Sequence, residues 1–178
     1  PEKGAWMDLE ALLMREFPGP NGTRLKISAV SIDSSDGQTS DAVYTLVRRR
    51  LARRYMAIKG SSVNDESKEI FSPPKVSVDQ DRMQKALKYG LKPFIVGTSR
   101  AKDLILGVDE KGGRIKLQGR GPGRMHWYKA VRPDYWIQIT SEVKAPTSRS
   151  DKRVWQKKSG VRNEALDCEV YALHAARS

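Results

Sequence analysis

ISAVSIDSSDG, residues 27–37, is the stretch on which the reading of the fold turns. From Thr23 to Asp33 both faces of an extended segment are largely apolar, Leu25, Ile27 and Ala29 on one and Val30 and Ile32 on the other. That pattern predicts a central strand covered on both sides. The strand then stops at a carboxylate, Asp33, and dissolves into Ser, Asp and Gly. Downstream, DAVYTLVRRRLARR (41–54) places Val43, Leu46, Val47 and Leu51 on one side of a helix and arginines on the rest. YMAIKG (55–60) reads as the next buried strand. Strand, helix and strand together predict a β-α-β unit with parallel strands, and hence an α/β fold.

Working outward, WMDLEALLMREF (6–17) has apolar groups at Trp6, Leu9, Leu13 and Phe17 and predicts an N-terminal helix that PGPNG ends. Residues 61–80 read as a polar loop or insertion, DRMQKALKY (81–89) as a short basic helix and KPFIVGTS (92–99) as a third buried strand. AKDLILGVDE favours helix over extended structure. GRIKLQGRGPGRMHWYKAV (113–131) reads as a basic, aromatic hairpin and loop, followed by a helix near DYWIQITSEVK. APTSRSDKR (145–153) reads as a flexible linker and VWQKKSG as a last strand. VRNEALDCEVYALHAARS (161–178) is a helix with Asn163 as its N-cap. The expectation is one domain over 1–178, with 1–22 as N-terminal helix and linker.

The chain has 33 Lys and Arg against 21 Asp and Glu, a formal charge of +12, and a phosphate polyanion is the partner class that suits this balance. Its single cysteine, Cys168, excludes an internal disulfide framework and a multi-thiolate zinc cluster, and reads as a packed small hydrophobe in a reducing compartment. No apolar run approaches the roughly 18 residues that cross a bilayer, so no membrane partner is expected.

In an open α/β sheet ligands bind beyond the C-terminal ends of the strands, where Asp33 is expected. Asp33 either starts a turn there or serves as a ligand. On the last helix the stripe Leu166, Val170, Leu173 has Asp167 about 60° to its side, at the border of the core. Glu164, three residues earlier, either reaches the same site or favours the helix dipole. Carboxylates without a His or Cys cluster suit hard Mg²⁺ or Mn²⁺ and two-ion phosphodiester hydrolysis. Arg48, Arg49 and Arg53 on the second helix, Lys59, and Arg120 and Arg124 in the Gly-rich segment are candidates for DNA contact. Loop histidine His126 reads as neither base nor ligand.

REFPGPNGTRLKISAVSIDSSDGQTSDAVYTLVRRR, AIKG, FIVGTSRAKDLI, GPGRMH and VRNEALDCEVYAL, in that order, resemble the C-terminal nuclease domain of phage terminase large subunits of the lambda-like type. The resemblance covers nearly the whole chain. It implies a ribonuclease-H-like central mixed sheet flanked by helices, and a metal-dependent endonuclease that cuts concatemeric viral DNA at packaging. By the same resemblance Asp33 and Asp167 are the metal-binding carboxylates, with two Mg²⁺ or Mn²⁺ ions. The third strand departs from the family's often acidic turn, reading Gly97-Thr98-Ser99, which leaves Asp103 or Glu164 as the middle ligand and Lys102 as a candidate for the scissile phosphate. The implied partners are double-stranded DNA and, through the longer protein, the small subunit and capsid portal, in the host cytoplasm. GxxxxGK[ST] is missing, so the ATP-driven motor is not in this chain. The rival readings are a non-catalytic DNA-binding or docking module of the packaging motor and a junction resolvase of the same fold.

Overall fold

The computed structural model describes residues 3–62, 65–74, 90–107, 113–116, 123–148 and 150–178. The chain divides into two compact units, Pro1–Ile58 with Lys75–Pro93 and Lys59–Pro74 with Phe94–Ser178. Both mix helices and strands.

In the first unit, helix α1 (Lys3–Leu13) is followed by two short antiparallel strands, β1 (Glu16–Pro18) and β2 (Arg24–Lys26). Strand β3 (Val30–Asp33) leads to helix α2 (Ser40–Arg49) and strand β4 (Tyr55–Gly60). β3 and β4 run parallel, with Val30 opposite Tyr55 and Asp33 opposite Ile58, as the β-α-β reading predicts. The long strand expected from Thr23 is shorter than its apolar pattern suggests. Residues 24–26 belong instead to the ribbon with β1, whose side chains are exposed on both strands, Leu25 at 52%. Phe17 likewise leaves the helix for β1.

α2 carries Asp41 in its first turn and Arg48 and Arg49 in its last, charges that complement the helix dipole. It buries Val43, Tyr44, Leu46 and Val47 against Val30, Tyr55, Ala57 and Leu91, with Trp6, Leu9, Leu13 and Ile32 packed around them. Each fully buried aliphatic side chain in such a cluster contributes about 1.5–3 kcal/mol. Leu51 does not join this face. The α-helix ends at Arg49, a 3₁₀ turn follows at Leu51–Arg53, and Leu51 is exposed.

In the second unit, strand β5 (Phe94–Val96) runs through Gly97 into helix α3 (Thr98–Leu106), confirming helix for the AKDLIL segment. Gly97 donates its N–H to Glu69 O at 2.9 Å, and a Cβ there would meet the carbonyl oxygens of Lys68 and Glu69 at 2.1 and 2.5 Å. No other residue fits that turn. Helix α4 (Pro133–Ile139) starts on a proline at its first position. Strands β6 (Glu142–Thr147) and β7 (Ser150–Lys157) pair antiparallel, from Glu142 opposite Lys157 to Thr147 opposite Ser150. The tract read as a flexible linker therefore lies within a β-hairpin, with 145–147 in β6 and 150–153 in β7. Helix α5 (Glu164–Ala176) buries Ala165, Leu166, Val170 and His174, and His174 lies against the rings of Phe71 and Phe94 at 5.1 and 5.6 Å.

Of the expected hairpin at 113–131, the described parts are a 3₁₀ turn at Arg114–Lys116 and irregular chain from Gly123. The basic helix expected at 81–89 lies outside the described residues, as does Arg120. No helix among the described residues is long and apolar enough to cross a membrane.

Candidate functional site

The charged side chains of the second unit are organised by α3, β6 and the start of α5. Lys102 and Asp103 are neighbours on α3, whereas Glu142 and Lys144, two apart on β6, share one face of the strand. The two elements pair with their charges crossed. Lys102 Nζ donates to both oxygens of Glu142, at 2.7 and 2.8 Å, and Lys144 Nζ donates to both oxygens of Asp103, at 3.0 and 3.1 Å. The Lys102–Glu142 pair is removed from water, with side chains 8% and 5% exposed. Desolvation of this kind is offset by hydrogen bonding to the charges, which both glutamate oxygens receive.

Asp167 joins through α5. Its Oδ1 is 3.8 Å from Lys102 Nζ, and its side chain is 35% exposed. Asn163, one turn earlier, stands at the N-cap position but makes no side-chain cap bond. Its Nδ2 instead donates to Glu142 Oε1 at 3.1 Å and Asp167 Oδ2 at 3.0 Å, tying the buried carboxylate to the open one. Lys144 reaches a further carboxylate, Glu66, at 3.0 Å. Burial pulls the Lys144 ammonium down, but Asp103 and Glu66 outweigh it, so its pKa is raised. The hydrogen bond from Lys144, and then its charge, hold Glu66 below the usual carboxylate range. Glu142 and Lys144 line a cleft of about 490 Å³ with Arg153, Trp155 and Lys158.

The residues singled out from the sequence are placed as follows. Lys102 and Asp167 come together, through Glu142 and Asn163. Asp103 accepts from Lys144 and from Trp155 Nε1 at 2.8 Å, which commits its carboxylate to holding α3 against the hairpin. Glu164 turns to Arg162 at 3.1 Å and is exposed. Its carboxyl is held low by its own backbone N–H at the helix start and then by Arg162. Ser99, in the Gly97-Thr98-Ser99 turn, is buried. In the first unit Asp33 ends β3, exposed, and accepts the Ser35 N–H at 2.9 Å, so the turn-starting role is realised. Arg48, Arg49 and Arg53 are exposed there, whereas Lys59 on β4 is half-buried; Arg124 is exposed in the second unit. Cys168 is exposed at the rim of a second cleft, contrary to the packed role expected of it, and partial burial still raises its thiol pKa.

Glu142, Asn163, Lys144 and Glu66 as network members escaped the sequence reading. The only signal for Glu142 was its place two residues before Lys144, the reverse of the Lys102-Asp103 charge order. That signal has meaning only once α3 and β6 are known to pack together.

The terminase large subunit gpA endonuclease-domain family matches residues 1–178. The chain belongs to that family. Among named proteins it is similar to the terminase large subunit of Escherichia phage lambda, 29% identical over 180 residues, which takes in 95% of this chain and 25% of the relative. The terminase large subunit of Enterobacteria phage P21 is 26% identical over 186 residues, 99% of this chain and 26% of that protein. The chain thus spans about a quarter of the length of these terminase subunits. No solved structure matches.

The oxygen chemistry of Asp167, the open carboxylate of the network, is of the kind a hard divalent ion takes. Mg²⁺ and Mn²⁺ take oxygen ligands, and Mg²⁺ is commonly held by one or two carboxylates while keeping several waters. Glu142 and Asp167 against the one ammonium of Lys102 leave a surplus of negative charge, and Asp167 is the member open to solvent. Among the described residues no group of three or more His, Cys, Asp or Glu is placed to hold a metal.

Proposed function

We propose that this terminase domain is a metal-dependent DNA endonuclease that cuts concatemeric viral DNA during packaging, with Asp33 and Asp167 as the carboxylates that hold Mg²⁺ or Mn²⁺. A ribonuclease-H-like sheet is the fold that goes with this reading. The observation that carries it is the network in which Asp167, open to solvent, is fixed from behind by Asn163, Glu142 and Lys102, in a chain whose family is an endonuclease domain.

In this reading Glu142 is a positioning residue. With both oxygens on Lys102 it holds the ammonium beside Asp167 and, through Asn163, fixes which way the Asp167 carboxylate points. Lys102 is then a fixed positive charge beside the place a phosphate would occupy if a divalent ion were held at Asp167, and being held in place it would need no reorganisation when negative charge develops there. Two divalent ions, when bound, would activate the attacking water and stabilise the leaving oxygen. The exposed arginines of α2 supply backbone contacts that carry affinity without sequence information. The substrate is double-stranded DNA. The small subunit and the capsid portal are met through the rest of the longer protein, and the work takes place in the host cytoplasm on procapsid-associated DNA.

The test is nicking of supercoiled plasmid by the purified chain with Mn²⁺ or Mg²⁺, with EDTA as control and with Asp33→Ala and Asp167→Ala variants checked for folding by circular dichroism. Nicking should require metal and vanish in both folded variants. Persistence of metal-dependent nicking in Asp167→Ala would remove this site from the chemistry. Binding without cutting under either metal would make the chain a DNA-binding module of the motor instead.

A further inference from the structure

The second unit displays aromatic rings that neither its core nor the Lys102–Glu142 network uses. Trp127 and Trp136 meet edge to face with centroids 4.9 Å apart, and Tyr135 stands at 89° to Trp136 with centroids 5.9 Å apart. Glu169 on α5 anchors the set, accepting from the Tyr135 hydroxyl and, at 3.4 Å, from Trp127 Nε1. Glu169 thereby fixes Tyr135 and Trp127, and Trp136 packs on both, while much aromatic surface stays in water: Tyr128, next in the chain to Trp127, is 72% exposed and Trp136 41%. Exposed apolar surface concentrated in one place marks a binding site more often than chance exposure does.

Beside the rings is a cleft of about 360 Å³ lined by Tyr128 and Tyr135, by Arg132 and Arg162, and by the carboxylates Asp134 and Glu164. Its two guanidinium groups are tethered to carboxylates, Arg132 to Asp134 at 2.9 and 2.5 Å and Arg162 to Glu164 at 3.1 Å. A tethered guanidinium keeps its plane and retains further N–H donors for an anion. Flat rings, fixed guanidiniums and a chain of net charge +12 are complementary to a strand of nucleic acid, the rings to bases and the arginines to phosphates. Bases inside a duplex show only their edges. A base reaches the face of Tyr128 or Trp136 only when unstacked.

We propose that this aromatic cleft is a stacking platform for unpaired bases, so that the domain holds single-stranded DNA, such as a frayed or already cut end, as well as duplex. The proposal rests on the nuclease reading and deepens it by naming the form of DNA held next to the nuclease. Stacking on one ring is sequence-tolerant, and its removal by alanine weakens binding by roughly 5- to 150-fold per base.

The experiment uses the full chain in EDTA, so that nothing is cut, and follows tryptophan fluorescence quenching by a twelve-nucleotide oligothymidylate and by a blunt duplex of equal length. Tyr128→Ala and Trp136→Ala should weaken single-strand binding by about 5- to 150-fold and duplex binding by less than about threefold, while Tyr128→Phe and Trp136→Phe stay near wild type. Tyr128 is exposed enough that its alanine variant tests the idea even if Trp136→Ala unfolds. Unchanged single-strand affinity in folded Tyr128→Ala, or equal losses on both DNAs, would overturn the platform. So would a cleft that leaves both DNAs unaffected but binds another protein. Plasmid nicking by the wild-type chain is scored separately: nicking without a ring-dependent loss sinks the platform alone, and a ring-dependent loss without nicking sinks the nuclease reading alone.

Discussion

Among the described residues of the first unit the interior includes Val30, Val43, Tyr44, Leu46, Val47, Tyr55, Ala57, Ile58 and Leu91, with Ser34 and Ser40 buried beside them. In the second unit the interior includes Lys102, Glu142 and His174 beside its apolar residues. The first kind of core depends on area removed from water, is tolerant of pH and is written in periodicity. The second depends on each charge keeping its partner, because a buried ion that loses one retains the cost of desolvation with nothing to offset it. A unit built the second way is more fragile to substitution and more sensitive to proton concentration, and it is the one that carries Asp167 and its network.

The sharpest way to break that comparison is to remove one partner. Glu142→Ala leaves the Lys102 ammonium buried and should cost about 3–5 kcal/mol in urea unfolding. Lys102→Met with Glu142→Leu should recover most of that loss while nicking stays absent. If the double variant cuts DNA, the pair is structural only and the proposed role of Lys102 fails.

The next effect is set by His174. Burial lowers its pKa from the ordinary 6.5 to about 4. As the pH falls, the unfolded chain takes up this proton first, so the stability present above the unfolded pKa is lost as pH drops through 6.5 toward 4. The loss between pH 7 and pH 5 should be about 2 kcal/mol, above the range in which ordinary carboxylates protonate. A folded His174→Gln variant should flatten that slope. Hydrogen exchange at pH 5 should quicken in peptides from α5 ahead of those from α2, and the reverse order would mean that the contrast between the units is wrong.

A smaller change tests the link between the buried and open carboxylates. Asn163→Ala removes two hydrogen bonds and no side-chain cap, so stability should fall by about 1–2 kcal/mol. The proposed function predicts a larger effect on nicking than on unfolding. Equal and small effects on both would reduce Asn163 to packing.

The legibility of the sequence follows the same division. YMAIKG is a buried strand because every early residue in it is apolar, and α2 shows its buried face at helical spacing, so the parallel β-α-β unit was readable from Val30 to Gly60. The overlong first strand arose because Leu25 and Ile27 look like core residues, yet Leu25 lies in an exposed ribbon and Ile27, just beyond it, is exposed too. β7 was half missed because Ser150–Arg153 are exposed on both faces, which leaves no alternation to read before Val154 and Trp155. Asp167 was visible as a carboxylate beside an apolar stripe. Glu142 was not, since its burial is created by a lysine 40 residues earlier in the chain.

The crossed charges between α3 and β6 have a consequence for assembly of the second unit. Sliding β6 by two residues would preserve its inward and outward faces, and apolar packing alone would scarcely notice. Such a slip would set Lys144 against Lys102, ammonium to ammonium. The native alignment is thus checked by sign as well as by shape, and a chain that docks the hairpin two residues out meets that repulsion before the carboxylates of the site can come together.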